Sequence, residues 1–150
     1  MPPDFSLKTI ENLGKRAAFL CSNPDCRAMT VGPNSKANSS TTIGEAAHIC
    51  GARPSSARYV STMSDLARAE ITNAIWLCRN CHKKIDGDAD SYSAARLFSW
   101  REEHERYVTN KLGTVADRAH LKARDDELFQ FDAYPPIIKL TCDPVVPRLF

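Results

Sequence analysis

The sequence predicts a small α+β fold in which a metal ion on cysteine ligands ties two strands to a helix, with further helices flanking that core at its N- and C-terminal sides. Three observations lead there. Two close cysteine pairs, Cys21/Cys26 and Cys78/Cys81, bracket a strand-loop-strand segment. Ile75-Trp76-Leu77 forms a continuous apolar run of the kind buried strands carry. Over Tyr92 to Leu112, Leu97, Trp100, His104 or Tyr107, and Val108 recur on one helical stripe, while Arg96, Arg101, Glu102, Glu103 and Glu105 occupy the others.

With 150 residues, 43% of them hydrophobic and 25% charged, the chain is sized for one globular domain. No run approaches the roughly 20 apolar residues of a spanning helix, and Asp4 and Lys8 interrupt the place where a leader's apolar core would lie. The expectation is a cytoplasmic protein without a membrane partner. Twenty Lys+Arg against eighteen Asp+Glu leave a net charge of +2, so any attraction for nucleic acid must be local. Six cysteines without an export signal point to metal ligation or catalysis before disulfides.

In chain order, Ser6 is a capping serine for a helix reaching Phe19, with Leu7, Ile10, Leu13 and Ala17 on one face and Gly14 as its weak point. Asn23 and Pro24 supply turn chemistry between the first two thiols. Residues 32–40, rich in Gly, Pro, Asn and Ser, predict a solvated loop. A strand over 42–49 leads to His48, and a loop follows over 51–63. One or two helical turns are expected over 65–70, a buried strand over 72–77, and a helix over 79–85. The long helix over 92–112 should cover the strand pair with its apolar stripe. Beyond it the chain is more polar until Pro135-Pro136 ends any helix, and the last fifteen residues predict an apolar extended tail.

Four cysteines in two close pairs suit a tetrahedral structural zinc, which would join the start of the strand region to the start of the following helix. Cys50 and Cys142 are left as small packing thiols. His104 and His120 read as packing or surface residues, and Trp76 as core.

Between the cysteine pairs lie Glu45-Ala46-Ala47-His48-Ile49, then Asn73, then His82 directly after Cys81. Over residues 19–90, through "AAHI" at 46–49 and "NAIWLCRNCHKKID" at 73–86, the chain resembles the His-Asn-His (HNH) endonuclease family. The resemblance implies a ββα-metal core of two antiparallel strands and a helix, within an HNH nuclease domain over 1–112. Residues 113–150 would then form a helical or extended extension, serving as a linker or a dimer contact. It also implies hydrolysis of DNA phosphodiester bonds, a bacterial restriction or antiviral defence setting, and association with a fused or separate sensor domain.

Phosphodiester hydrolysis needs a base for the attacking water and positive charge at the leaving oxygen. His48, with an imidazole pKa ordinarily about 6.5, suits the first need. His82, at a helix start, suits the second by holding magnesium or manganese against the phosphate, with backbone amides nearby. Asn73, as the family's middle residue, would fix the loop or the His48 ring. Many members carry Asp or His before the base, where this chain has Ala47. Two replacements offer themselves: Asp86, four residues after His82 on one helical face, and Glu45, on the strand face of Ala47. If neither binds, the site is degenerate and the chain is a non-catalytic, zinc-stabilised nucleic-acid-binding module.

Asp86, Asp88 and Asp90 do not make a calcium loop, since Ser91 and Leu97 stand where glycine and glutamate are needed. From Ala47 to Lys84, six basic residues face two acidic ones. Arg53, Arg58 and Lys83 are the expected phosphate contacts there.

Overall fold

The computed structural model describes residues 4–114. The chain divides into two units, Met1–Leu112 and Gly113–Phe150, and every element named here belongs to the first. Those elements are four α-helices and two antiparallel two-stranded sheets, an α+β architecture. The continuation expected from residue 115 onward, including His120 and Cys142, lies outside the described residues.

Helix α1 (Leu7–Arg16) starts where Ser6 accepts a hydrogen bond from the Thr9 amide, and ends on Lys15 and Arg16, cations that suit the negative end of its dipole. It stops three residues short of Phe19. Ala18 and Phe19 adopt left-handed backbone, φ 50° and 53°, which turns the chain back toward Cys21. Gly14 makes that turn possible: a Cβ there would lie 2.7 Å from the Phe19 ring, which meets Trp76 edge-on at 5.8 Å. The helix's weak point is thus a packing requirement.

The segment expected to be loop over 32–40 is the tip of a small hairpin. Strand β1 (Val31–Pro33) pairs with β2 (Ser40–Thr42), Val31 opposite Thr42. The strand expected over 42–49 is interrupted at Ile43, whose carbonyl accepts from the Arg79 amide, and resumes as β3 (Gly44–His48). Gly44 is required, because the Trp76 indole occupies the place of its Cβ at 2.3 Å. Helix α2 (Asp65–Ala69), capped by Ser64, and one 3-10 turn (Ile71–Asn73) lead to β4 (Ala74–Cys78). Strand β4 lies antiparallel to β3, with Glu45 opposite Leu77 and His48 opposite Ala74. Helix α3 (Arg79–Gly87) follows without a break, and α4 (Ala94–Lys111) begins at the Ser93 cap.

All five residues of β4 are buried, because both faces of the β3/β4 pair are covered. Ala47, Ile75 and Leu77 pack with Ile85, Leu97 and Trp100 on the α3/α4 side, whereas Ala74 and Trp76 pack with Phe5, Leu13 and Ala17 on the α1 side. Each fully buried Ile or Leu contributes about 1.5–3 kcal/mol by leaving water. The α4 stripe resolves the choice between His104 and Tyr107: His104 is fully buried and Tyr107 is 40% exposed. Its Nε2 lies 3.0 Å from the Ala17 carbonyl, and its Nδ1 contacts the Arg27 guanidinium. The Trp76 indole N–H donates to Thr30 Oγ1 inside the core, as expected of a packing residue.

Candidate functional site

Two centres sit along the first turns of α3. At its start, Cys78 is the N-cap, its sulfur accepting from the Cys81 amide. The turn over 21–26 brings the other pair across: the Ser22 amide donates to the Trp76 carbonyl and the Cys26 amide to the Asn23 carbonyl. The four sulfurs of Cys21, Cys26, Cys78 and Cys81 lie within 4.8 Å of one another. Cys26 and Cys78 are 3.9 Å apart, close to the edge, about 3.8 Å, of a tetrahedron with bonds of about 2.3 Å. Burial pushes the Cys21 thiol up and the Cys81 thiol to about 11, so a dication is what would let these sulfurs ionise together. Burial also opposes ionisation at Cys78, yet its hydrogen bonds, first from the Cys81 backbone, hold it below the usual thiol range. The cluster can therefore bind a metal ion such as zinc.

Sequence reasoning placed Asn23 only in the turn. Its amide also donates to the Cys81 sulfur at 3.3 Å, and its Oδ1 accepts from the Asp25 amide at 3.0 Å. The signal was its position between the ligands; the contact to Cys81, 58 residues away, was not legible.

One turn further along α3, His82 stands between two carboxylates. Its Nδ1 is 2.8 Å from Glu45 Oε2 and its Nε2 is 3.3 Å from Asp86 Oδ2. Both candidate partners therefore reach His82, but on different ring nitrogens. Glu45 also binds Arg79 at 3.0 Å. The hydrogen bond that His82 donates to Asp86 is the main cause that raises it above the usual imidazole range, against burial and with help from Glu45. Glu45 is lowered chiefly by His82, while Asp86 is lowered by His82 and Arg58 despite its burial. Among the described residues the four cysteines form the one group of three or more convergent metal-ligand side chains. Glu45, His82 and Asp86 form no second such group. Each ring nitrogen of His82 is instead paired with a carboxylate, Nδ1 with Glu45 and Nε2 with Asp86.

His48 ends β3. Its ring stacks on Phe5 at 4.0 Å and 18°, so the residue before the α1 cap sets the plane of the imidazole. Alternation along β3 turns Ala47 into the core, fully buried, and leaves Glu45 on that same face, beside His82. His48, His82 and Asp86 line one small cleft of about 90 Å³ together with Gly51, Ser56 and Ala57. On its other side, His82 and Asp86 border a wider groove of about 570 Å³ with Glu45, Arg79 and Lys83.

Asn73, the last residue of the 3-10 turn before β4, acts on the backbone just beyond His48. It clamps the residue two further on: the Cys50 amide donates to its Oδ1 at 2.8 Å, and its Nδ2 donates to the carbonyls of Cys50 and Arg68 at 3.0 Å each. Of the two alternatives for this residue, the loop-fixing one matches these bonds. Cys50 itself is buried, as a packing thiol.

The three expected phosphate contacts separate. Lys83 is exposed on the groove, and Arg53 is exposed on the turn that carries Ser56. Arg58 is a correction: its side chain is 4% exposed and its guanidinium is spent on internal acceptors, Asp86 among them, so it does not face solvent. An arginine in a loop reads from sequence as a surface cation; the carbonyls that draw it inward come from four distant positions. No described helix is long and apolar enough to cross a membrane. Compared with protein-family models and with the curated proteins, the chain finds no match in either.

Proposed function

We propose that the chain is a divalent-metal-dependent DNA endonuclease of the HNH type, built on a zinc-stabilised ββα core. The observation that carries this reading is the cleft in which His48, His82 and Asp86 meet, one helical turn from a four-sulfur cluster. The β3/β4 pair and α3 supply the two strands and the helix, and the cluster fixes their ends.

In this reading His48 accepts the proton of the attacking water, its ring held by Phe5 and its strand end by Asn73. His82 and Asp86 hold magnesium or manganese, and Glu45 holds the His82 ring from behind. When bound, the ion would supply positive charge to the scissile phosphate and its leaving oxygen. Lys83 and Arg79 border the wider groove, where a phosphate backbone would run. A role in restriction or antiviral defence, with a homodimer or a sensor domain to bring two sites to a duplex, completes the proposal.

A second reading has its own support. Ala47 is buried where the family carries a ligand, and no second group of three ligands converges among the described residues. The alternative is a zinc-stabilised module that binds nucleic acid without cutting it. Incubating supercoiled plasmid with the zinc-loaded protein in magnesium and in manganese separates the two. The nuclease reading expects nicking that His82→Ala abolishes; the alternative expects no nicking in either metal and a salt-sensitive DNA affinity that survives His82→Ala.

A further inference from the structure

The loop over 51–63 carries a residue that neither its sequence neighbourhood nor the cleft alone explains. Arg58 holds left-handed backbone at φ 59°, a conformation that is unfavourable for a residue with a Cβ and persists where the surroundings enforce it. The enforcement is visible at the other end of the side chain. Nε donates to the Ile49 carbonyl at 2.8 Å and Nη1 to the Ile85 carbonyl at 2.6 Å. Nη2 donates to Asp86 Oδ1 at 2.7 Å and reaches the His48 carbonyl at 3.4 Å. One buried cation thus joins the end of the His48 strand to the end of the His82 helix.

We propose that Arg58 is a positioning residue for the cleft: by saturating one oxygen of Asp86 it aims the other at the Nε2 side of His82, and by its carbonyl contacts it holds His48 in register with that pair. The proposal rests on the reading that His82 and Asp86 share a divalent ion. A cation beside a ligand carboxylate weakens the carboxylate's pull on a metal, so charge alone would make Arg58 harmful there. What it contributes is direction. The guanidinium fork presents several N–H groups in one fixed plane, which an ammonium does not.

The test measures Mn2+ binding by electron paramagnetic resonance of the free ion, with manganese alone added to zinc-loaded protein. Wild type, Arg58→Lys, Asp86→Asn and the double variant form a cycle, with zinc content and melting temperature recorded for each. Arg58→Lys keeps the charge and loses the fork, and is expected to weaken Mn2+ about 10- to 100-fold. In the Asp86→Asn background the same change should add less than about two-fold, because its route runs through Asp86. An equal loss in both backgrounds, an unchanged affinity in Arg58→Lys, or no Mn2+ binding by wild type would each overturn the proposal. Should Arg58→Lys fail to fold, Asp86→Glu reads the same geometry from the other partner. It keeps the charge but moves the carboxylate by one methylene, and wild-type Mn2+ affinity in that variant would also overturn the assignment. Protein that binds Mn2+ with the expected coupling yet never nicks plasmid leaves Arg58 standing and removes the nuclease. Nicking with an additive cycle does the reverse.

Discussion

Successive turns of α3 hold two kinds of site built on different principles. At the start, four sulfurs from two short turns close on one point, and the ligands are neighbours in sequence within each pair. One turn later, His82 is gripped by carboxylates from a strand and from its own helix, Asp86 is in turn held by Arg58, and the cleft they border is open to His48. A closed set of soft ligands stabilises a fold; an open pair of hard and borderline ligands leaves positions for water and substrate. On the proposed reading, the first centre carries the fold and the second carries the chemistry.

The largest effect should follow from attacking the first centre. Sites of this kind contribute about 10–16 kcal/mol of apparent binding free energy in small zinc peptides, more than a domain's whole stability margin. Chelation, or Cys81→Ser, should abolish the cooperative thermal transition and the helical circular dichroism. A chelator-treated protein that still melts cooperatively would show that the sulfurs are dispensable. The second centre should behave oppositely. His82→Ala and Asp86→Asn are expected to leave zinc content intact while weakening Mn2+ about ten-fold or more, as read by titration. A parallel loss of zinc in those variants would merge the two centres into one structural unit.

Between these extremes stands the core that both share. Leu97 is fully buried against the β3/β4 pair, and Leu97→Ala should cost about 2–5 kcal/mol in denaturant unfolding, lowering the stability of both centres together. The smallest effect should come from an ion pair on α4. Partial burial would raise the Glu105 carboxyl, but its bonds to Arg16 and Arg101 outweigh this and hold it below the usual range. A lowered folded value means stability that is present above the unfolded carboxyl pKa and is lost as pH falls through the folded one. Glu105→Gln should therefore cost about 0.5–1 kcal/mol at pH 7 and progressively less in acid, as read from melting temperatures across pH. A difference that grows on acidification would contradict the sign.

Much of the frame was legible because its signals are local. Ser6 marks a helix start by its own hydrogen bond, Ile75-Trp76-Leu77 declares a buried strand, and Leu97 and Trp100 trace the stripe of α4. The cysteine spacings point to one four-sulfur site, and the four sulfurs lie together. What sequence could not show depends on partners brought together by the fold. Val31–Pro33 became a strand because Ser40–Thr42 lies alongside it, overriding a composition that favours a loop. Glu45 and Asp86 were in view only as alternative ligands in place of Ala47; that each pairs with a different ring nitrogen of His82 depends on how β3 crosses α3. Phe5 beneath His48 and Arg58 beneath Asp86 are contacts across long sequence separations, and neither leaves a periodic trace.

The central claim is that His48 acts on water within a fold that does not depend on it. The most direct measurement compares plasmid nicking by wild type and His48→Ala at equal zinc content and equal melting temperature, in manganese. Loss of a general base predicts a rate lowered about 10²- to 10⁴-fold with both proteins equally folded. Equal nicking by the two, or nicking by neither, would contradict it.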